Sequence, residues 1–230
     1  MSKGSASEGK GQGSSVSPPA APRLPAGRHG LPREFIAQNQ RERIITALVD
    51  TVAAKGYNAT TVADITKAAS VSRRTFYEHF KDKADCFEAA YEMVIDHIRT
   101  AMAAAADSFE EWPQKVRAAL ATMLRFLAGE PELARVVMIE PIAAGGKIAA
   151  RHRASLQSFV EILRAGRPRH SGARQLPETT EEALVGGIAA LIVREVNAGR
   201  TDRLEEQLPQ LVELVLAPYL GAEEAERLAR

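Results

Sequence analysis

The sequence predicts an all-α protein, and three observations carry that prediction. Apolar residues recur at three- and four-residue spacing through most of the chain, no segment alternates convincingly at period two, and Gly and Pro fall between the periodic stretches. At 230 residues, 45% of them hydrophobic and 5% aromatic, the chain can build one large domain or a small domain joined to a larger one.

Residues 1–30, MSKGSASEGKGQGSSVSPPAAPRLPAGRHG, are rich in Gly, Ser, Pro and Ala and carry almost nothing to bury. Their composition predicts a disordered basic leader, taken as residues 1–34. Arg23, Arg28, His29 and Arg33 make its end cationic, which suits either a solvated leader or an arm lying along a DNA minor groove.

From about Gln38 a helical stripe begins, with Ile44, Ile45, Leu48, Val49 and Val52 on one face, and Gly56 is placed to end it. Thr61 caps a second helix, with Asp64 three residues on as a near capping box and Val62, Ile65 and Ala69 on its inner face. After a break at Ser70-Val71, Ser72 caps a third, short helix anchored by Phe76 and Phe80. A long fourth helix follows at roughly 83–106. Five further helical segments are expected at about 110–128, 131–140, 144–166, 178–199 and 203–217, with Pro209 bending or dividing the last and Pro218 closing it.

The third helix, in VSRRTFYEHFKDK, carries an anomaly. Arg73 and Arg74 stand at its start, where the helix dipole disfavours cations by roughly 0.3–1 kcal/mol each. Either they point into water or an anion lies against that helix end. Two short helices joined by a tight link form a helix-turn-helix, which holds the N-terminal half of its second helix outward to enter a major groove. There the arginines meet phosphates and guanine edges. Thr75 and Tyr77 can donate to phosphate, Thr61 offers a hydroxyl and helix-start amides, and Lys83 begins the next helix. Each has a plainer alternative: Thr61 as a cap alone, Tyr77 and His79 as packing residues. Glu78 opposes the reading unless it accepts from a cytosine amine or lies outside the groove. The charge distribution agrees with a polyanion-binding head. Residues 1–83 hold 13 Lys+Arg against 7 Asp+Glu, net +6, whereas residues 84–230 hold 17 against 22, net −5.

The segment GYNATTVADITKAASVSRRTFYEHFKDKADCF, residues 56–87, resembles the DNA-binding segment of the TetR/AcrR family of transcriptional regulators. The resemblance covers about 45 residues from Arg41 onward and rests on Gly56-Tyr57, Thr60-Thr61, Ile65, Ala68-Ala69, Val71-Ser72, Thr75-Phe76-Tyr77, His79-Phe80 and Lys83. It implies DNA contacts at Arg73, Arg74, Thr75, Tyr77 and His79, and phosphate contacts at Thr61 and Lys83. Ser70 departs from the family, which usually has Gly in this turn; a Ser at positive φ costs about 1 kcal/mol. The resemblance further implies a DNA-binding domain at 35–82, a ligand-binding and dimerisation domain at 83–221 and a C-terminal tail at 222–230. The protein would be a homodimer paired through helices at about 178–199 and 203–217, bind double-stranded DNA at a palindromic operator, and act as a ligand-responsive repressor, with an activator or a ligand-independent regulator as the alternative.

The residues offered for that interface are Leu184, Val185, Gly186, Gly187, Ile188, Leu191 and Ile192, then Leu204, Leu208, Leu211, Val212, Val215 and Leu216, with burial in the chain's own core as the alternative. Tyr91, Trp112, Met123, Phe126, Met138 and Phe159 are candidates to line an apolar pocket for a small hydrophobic effector. Glu140, Arg151 and His152 are candidates to orient it, Glu140 also to cap a helix.

Other classes find little support. The five histidines are scattered and no Cys/His cluster has metal-ligand spacing, so no metal or cofactor is expected. There are no paired catalytic carboxylates, no Ser/His/Asp order and no phosphate loop, so an enzyme is not expected. A single Cys86 excludes an intrachain disulfide and suits a reducing compartment; it falls in a helix first turn, where a lowered pKa would make it a redox sensor, or it is a small packing residue. The longest apolar run, VGGIAALIV at 185–193, is too short to span a bilayer, and no apolar stretch follows the basic N-terminus, so the expectation is a cytoplasmic protein.

Overall fold

The computed structural model describes residues 32–166 and 176–230, and among them every regular element is helical. The disorder expected for the leader, and the arm formed by Arg23, Arg28 and His29, lie outside the described residues. Arg33 does not: it opens the first helix, α1 (Arg33–Lys55), which starts five residues earlier than its apolar stripe announces. Pro32 precedes the helix with a φ of −55°, a value its ring imposes, so the entry needs no apolar residue.

Helices α1, α2 (Val62–Ala69) and α3 (Arg73–His79) form the head. The capping box of α2 is complete, since Asp64 N–H donates to Thr61 Oγ1 and Thr61 N–H to Asp64 Oδ2. Ser70 takes the left-handed conformation at φ 52° and ψ 46°. Its N–H reaches Lys67 O and the Val71 N–H reaches Thr66 O at 3.0 Å, a Schellman-type ending that satisfies the last carbonyls of α2. Arg43 of α1 donates to the carbonyls of Ala69 and Ser70, which holds this strained turn from the side. Phe76 is fully buried with Phe80 beside it, ring centroids 5.8 Å apart, pinning α3 against the other two helices.

The body comprises α4 (Lys83–Asp107), α5 (Trp112–Gly129), α6 (Pro131–Met138), α7 (Glu140–Ala144), α8 (Gly146–Ala165), α9 (Thr180–Asn197), α10 (Leu208–Leu220) and α11 (Ala222–Ala229). Four details differ from the sequence reading. The segment at 131–140 breaks at Ile139, and Pro141 starts α7 within its first turn. Two 3₁₀ turns, Thr201–Arg203 and Glu205–Gln207, precede Pro209, which divides the last segment and takes an N-terminal position in α10. Pro218 does not end that helix, which runs on to Leu220 and stops at Gly221, φ 86°. The segment assigned as a tail, 222–230, is mostly α11, and it packs on α10 through buried Ala225 and Ala229.

Head and body meet at the loop between α1 and α2. Glu140, 3% exposed, accepts the Tyr57 N–H at 2.7 Å and pairs with Arg135 at 3.2 Å. Gly56, at φ 82°, makes the turn that aims this amide at the carboxylate. Asn58 donates to Ala143 O at 3.1 Å. From the other side Lys83 donates to Tyr57 O at 2.7 Å and Thr60 O at 2.8 Å, with its ammonium 4.0 Å from the Tyr57 ring centroid. Removing the carboxylate leaves a buried N–H unsatisfied, which costs roughly 1–3 kcal/mol. Glu140→Ala is therefore expected to lower unfolding free energy by about that amount in urea denaturation, and Glu140→Gln, which keeps an acceptor oxygen, by clearly less.

Candidate nucleic-acid interface and body cavity

Ser72 caps α3 by accepting the Thr75 N–H at 3.0 Å, and no acidic residue occupies the first turn. The two arginines there have no compensation from their own helix start. Arg73 is exposed, and the Arg74 side chain is 89% exposed. Arg74 Nε lies 3.0 Å from Glu78 Oε1, one turn on. An exposed pair at this spacing contributes only about 0.3–0.5 kcal/mol, so a phosphate or a guanine can replace the carboxylate with little loss. Glu78 thus holds the Arg74 guanidinium in a weak exposed pair for which an anion can compete. Tyr77 is 57% exposed and stands edge-on to Phe76. Thr75 is half-buried, its hydroxyl 2.9 Å from Ser72 Oγ. Arg73, Arg74 and Tyr77 form the outward surface of α3.

The remaining predicted contacts are placed differently. His79 is half-buried, turns toward α1 with Nε2 3.3 Å from Gln40 Oε1, and is held below the usual imidazole range chiefly by burial. Lys83 uses two of its three donors inside the head. Thr61 is exposed at the start of α2, yet both its N–H and its hydroxyl lie on Asp64. Asp64 in turn takes a hydrogen bond from Lys55 at 2.7 Å, and these bonds hold its carboxyl well below the usual range. The sequence reading missed Arg43 and the Glu140–Tyr57 bond. Only Glu140 left a trace, as a lone carboxylate after the apolar run VVMI.

Within the body, α4, α5, α6, α8, α9 and α10 line a partly open apolar cavity of about 290 Å³. Tyr91, Trp112, Met123, Met138 and Phe159 all line it. Phe126 does not: it stacks on His97, centroids 5.6 Å apart, on the other side of α5. One end is polar, with Tyr91 Oη 3.0 Å from His152 Nδ1 and Ser155 adjacent. Burial raises Tyr91 and lowers His152, with Arg153 adding to the fall, so both are neutral groups at pH 7. Arg151 points away to pair with Glu92. Cys86 is fully buried and its thiol is pushed far up by burial, which overrides the helix start and leaves a packing role. Among the described residues no cluster of His, Cys, Asp or Glu could hold a metal ion, and no helix is long and apolar enough to cross a membrane.

Comparison with known proteins finds likenesses to the head and to the fold as a whole. The model of the tetR family of bacterial regulatory proteins matches residues 44–90, which run from α1 through the start of α4. The probable acrEF/envCD operon repressor of Escherichia coli K12 is 25% identical over 209 residues, covering 84% of this chain and 92% of that protein. Residues 44–90 are thus similar to the tetR family of bacterial regulatory proteins. Similarity to the AcrR regulator of Shigella flexneri is higher, 37%, but local: 57 residues, a quarter of this chain and 26% of AcrR. The fold of the FadR regulator of Bacillus subtilis, solved with stearoyl-CoA, matches with a TM-score of 0.69 at 21% identity, over 76% of this chain and 97% of FadR.

The neutral His152 has a consequence for stability. Above the ordinary histidine value of 6.5 both folded and unfolded chains are unprotonated there; below it the unfolded chain binds the proton first, so stability falls as pH drops. His79 acts in the same direction. Denaturation midpoints are expected to fall between pH 7.5 and 5.5, and His152→Gln to make that fall shallower.

Proposed function

We propose that the protein is a DNA-binding transcriptional regulator that acts as a homodimer on a palindromic operator and is released by a ligand in the body cavity. The observation that carries the reading is the exposed cationic edge of α3, Arg73 and Arg74, with no acid in that first turn and Phe76 fully buried behind it. Arg73, Arg74 and Tyr77 enter the major groove, with Thr75 beside them. Thr61 lies at the flanking phosphates. His79 and Lys83 hold the reading helix in place rather than touch bases.

A seven-residue helix reads too few base pairs alone, and two-fold pairing doubles the site. Most residues offered for the interface by sequence, Leu184, Ile188, Ile192, Leu204, Leu211, Val212, Val215 and Leu216, are buried within the chain itself. The pairing face is instead the exposed small-residue stripe Ala183, Gly186 and Ala190 of α9, joined by Leu214 of α10, 40% exposed. That face permits close helix approach between two copies.

Transmission to the head runs through α6. Val137 and Met138 line the cavity, and Glu140 two residues later grips Tyr57. A ligand that displaces α6 moves the loop that orients the head. The repressor sense follows the acrEF/envCD relative, and a cavity ligand follows FadR, solved with an acyl-CoA.

The test is binding to duplexes enriched from a random pool. Arg73→Ala and Arg74→Ala are each expected to weaken binding by about 1–3 kcal/mol while leaving the melting temperature in place. A parallel loss of thermal stability would assign them to packing instead.

A further inference from the structure

Arg73 and Arg74 are neighbours in sequence but are held differently, and the difference bears on which base pairs α3 reads. Arg73 makes no ion pair with any described residue. Arg74 is tied through Nε to Glu78 Oε1 at 3.0 Å, with the two side chains 89% and 54% exposed. That bond uses one edge of the guanidinium and leaves the N–H groups of Nη1 and Nη2 open. The two terminal nitrogens form a fork that fits guanine O6 and N7. Glu78 Oε2 is likewise left without a hydrogen bond among the described residues.

A carboxylate on a groove-facing helix needs a reason. DNA surrounds it with phosphate charge, and like charges set against each other across an interface are strongly unfavourable. If a phosphate drew Arg74 away, Glu78 would stand alone in that field. A guanine met end-on by Nη1 and Nη2 keeps the pair together, so Glu78 favours a base over a phosphate as the partner of Arg74. The second carboxylate oxygen still needs a donor. Among base edges in the major groove, guanine O6 and N7 and thymine O4 are acceptors and repel it. Adenine sets its amine beside the N7 acceptor, whereas cytosine presents the N4 amine alone. Cytosine is therefore the base from which a carboxylate accepts without meeting a lone pair on the same base. Positions 74 and 78 stand about 6 Å apart along the helix axis, against about 3.4 Å between stacked base pairs. Side chains that converge across that rise cover adjoining base pairs rather than one.

Given the DNA-reading role proposed above, on which this rests, we propose that Arg74 and Glu78 act as one base-reading unit. Arg74 takes a guanine through Nη1 and Nη2, and Glu78, bonded to Nε, accepts from the N4 amine of a cytosine in the adjoining base pair. Glu78 is then a specificity residue: on any other sequence its charge is left facing acceptors and phosphates, which rejects the wrong site as well as fitting the right one.

The experiment selects duplexes from a random pool with the full chain and with Glu78→Gln, Glu78→Ala and Arg74→Lys, and counts the bases at each enriched position. Melting temperatures should be unchanged, since both side chains are exposed. The unmodified chain is expected to enrich a guanine with a cytosine in the adjoining pair, and replacing that cytosine should weaken binding about tenfold. Glu78→Gln should move the preference there from cytosine to adenine, because an amide pairs with adenine N6 and N7. Glu78→Ala should flatten it, while binding to unselected duplex tightens as a repulsive charge is lost. Arg74→Lys, which lacks the fork, should relax the guanine position. Glu78 variants that keep the original base frequencies would overturn the proposal and leave an ordinary surface ion pair, with the regulator reading intact. Failure of the unmodified chain to enrich any sequence would overturn both.

Discussion

The orientation of the head depends on one loop being held from two sides. Residues 56–60 follow α1 with their backbone groups turned outward, and two charges from the body take them up: Glu140 accepts the Tyr57 amide and Lys83 donates to the Tyr57 and Thr60 carbonyls. Both bonds are charge-assisted and therefore roughly twice as strong as neutral ones. Neither charge is left uncompensated, because Arg135 lies beside Glu140 and the Tyr57 ring lies under the Lys83 ammonium. Without this clasp the three head helices would join the body mainly through the apolar contacts of α1 with α4 and α6. Those contacts are non-directional and permit sliding; the hydrogen bonds set the angle.

From that constraint the rest of the head follows. With the loop fixed, α2 starts at a defined place, Arg43 holds its strained ending at Ser70, and buried Phe76 turns α3 so that its arginines face outward. The same clasp joins the head to the cavity within one turn of chain, since Val137 and Met138 of α6 line the cavity and Glu140 comes two residues after Met138. A cavity wall and a hinge point made from one short element give a small displacement a direct path to the reading helix.

The head was legible because its determinants are local. Thr61 and Ser72 are caps three residues from their amides, and the Phe76–Phe80 pair is one turn apart, so the motif is visible at short range. The long-range features were not: Arg43 reaches Ala69 across 26 positions and Glu140 reaches Tyr57 across 83, and no spacing rule announces either. His79 and Lys83 lie at positions that the family resemblance marks as DNA contacts, but their side chains turn inward to Gln40 and to the loop carbonyls. In the body, aromatic and sulfur-bearing side chains pointed to the cavity, with Phe126 displaced because it faces His97. The stripes on α9 and α10 looked wide enough for an interface because both are covered inside the chain, α10 partly by α11, a helix that its charged sequence disguised as a tail.

The central claim is that the clasped head presents the leading edge of α3 to nucleic acid. Hydrogen exchange of the full chain, with and without a duplex selected from random DNA, tests it most directly. The account predicts slower exchange on DNA across residues 61–64 and 72–79, with the amides of α8 unchanged. Protection confined to the body, or none in α3 at saturating duplex, would contradict it.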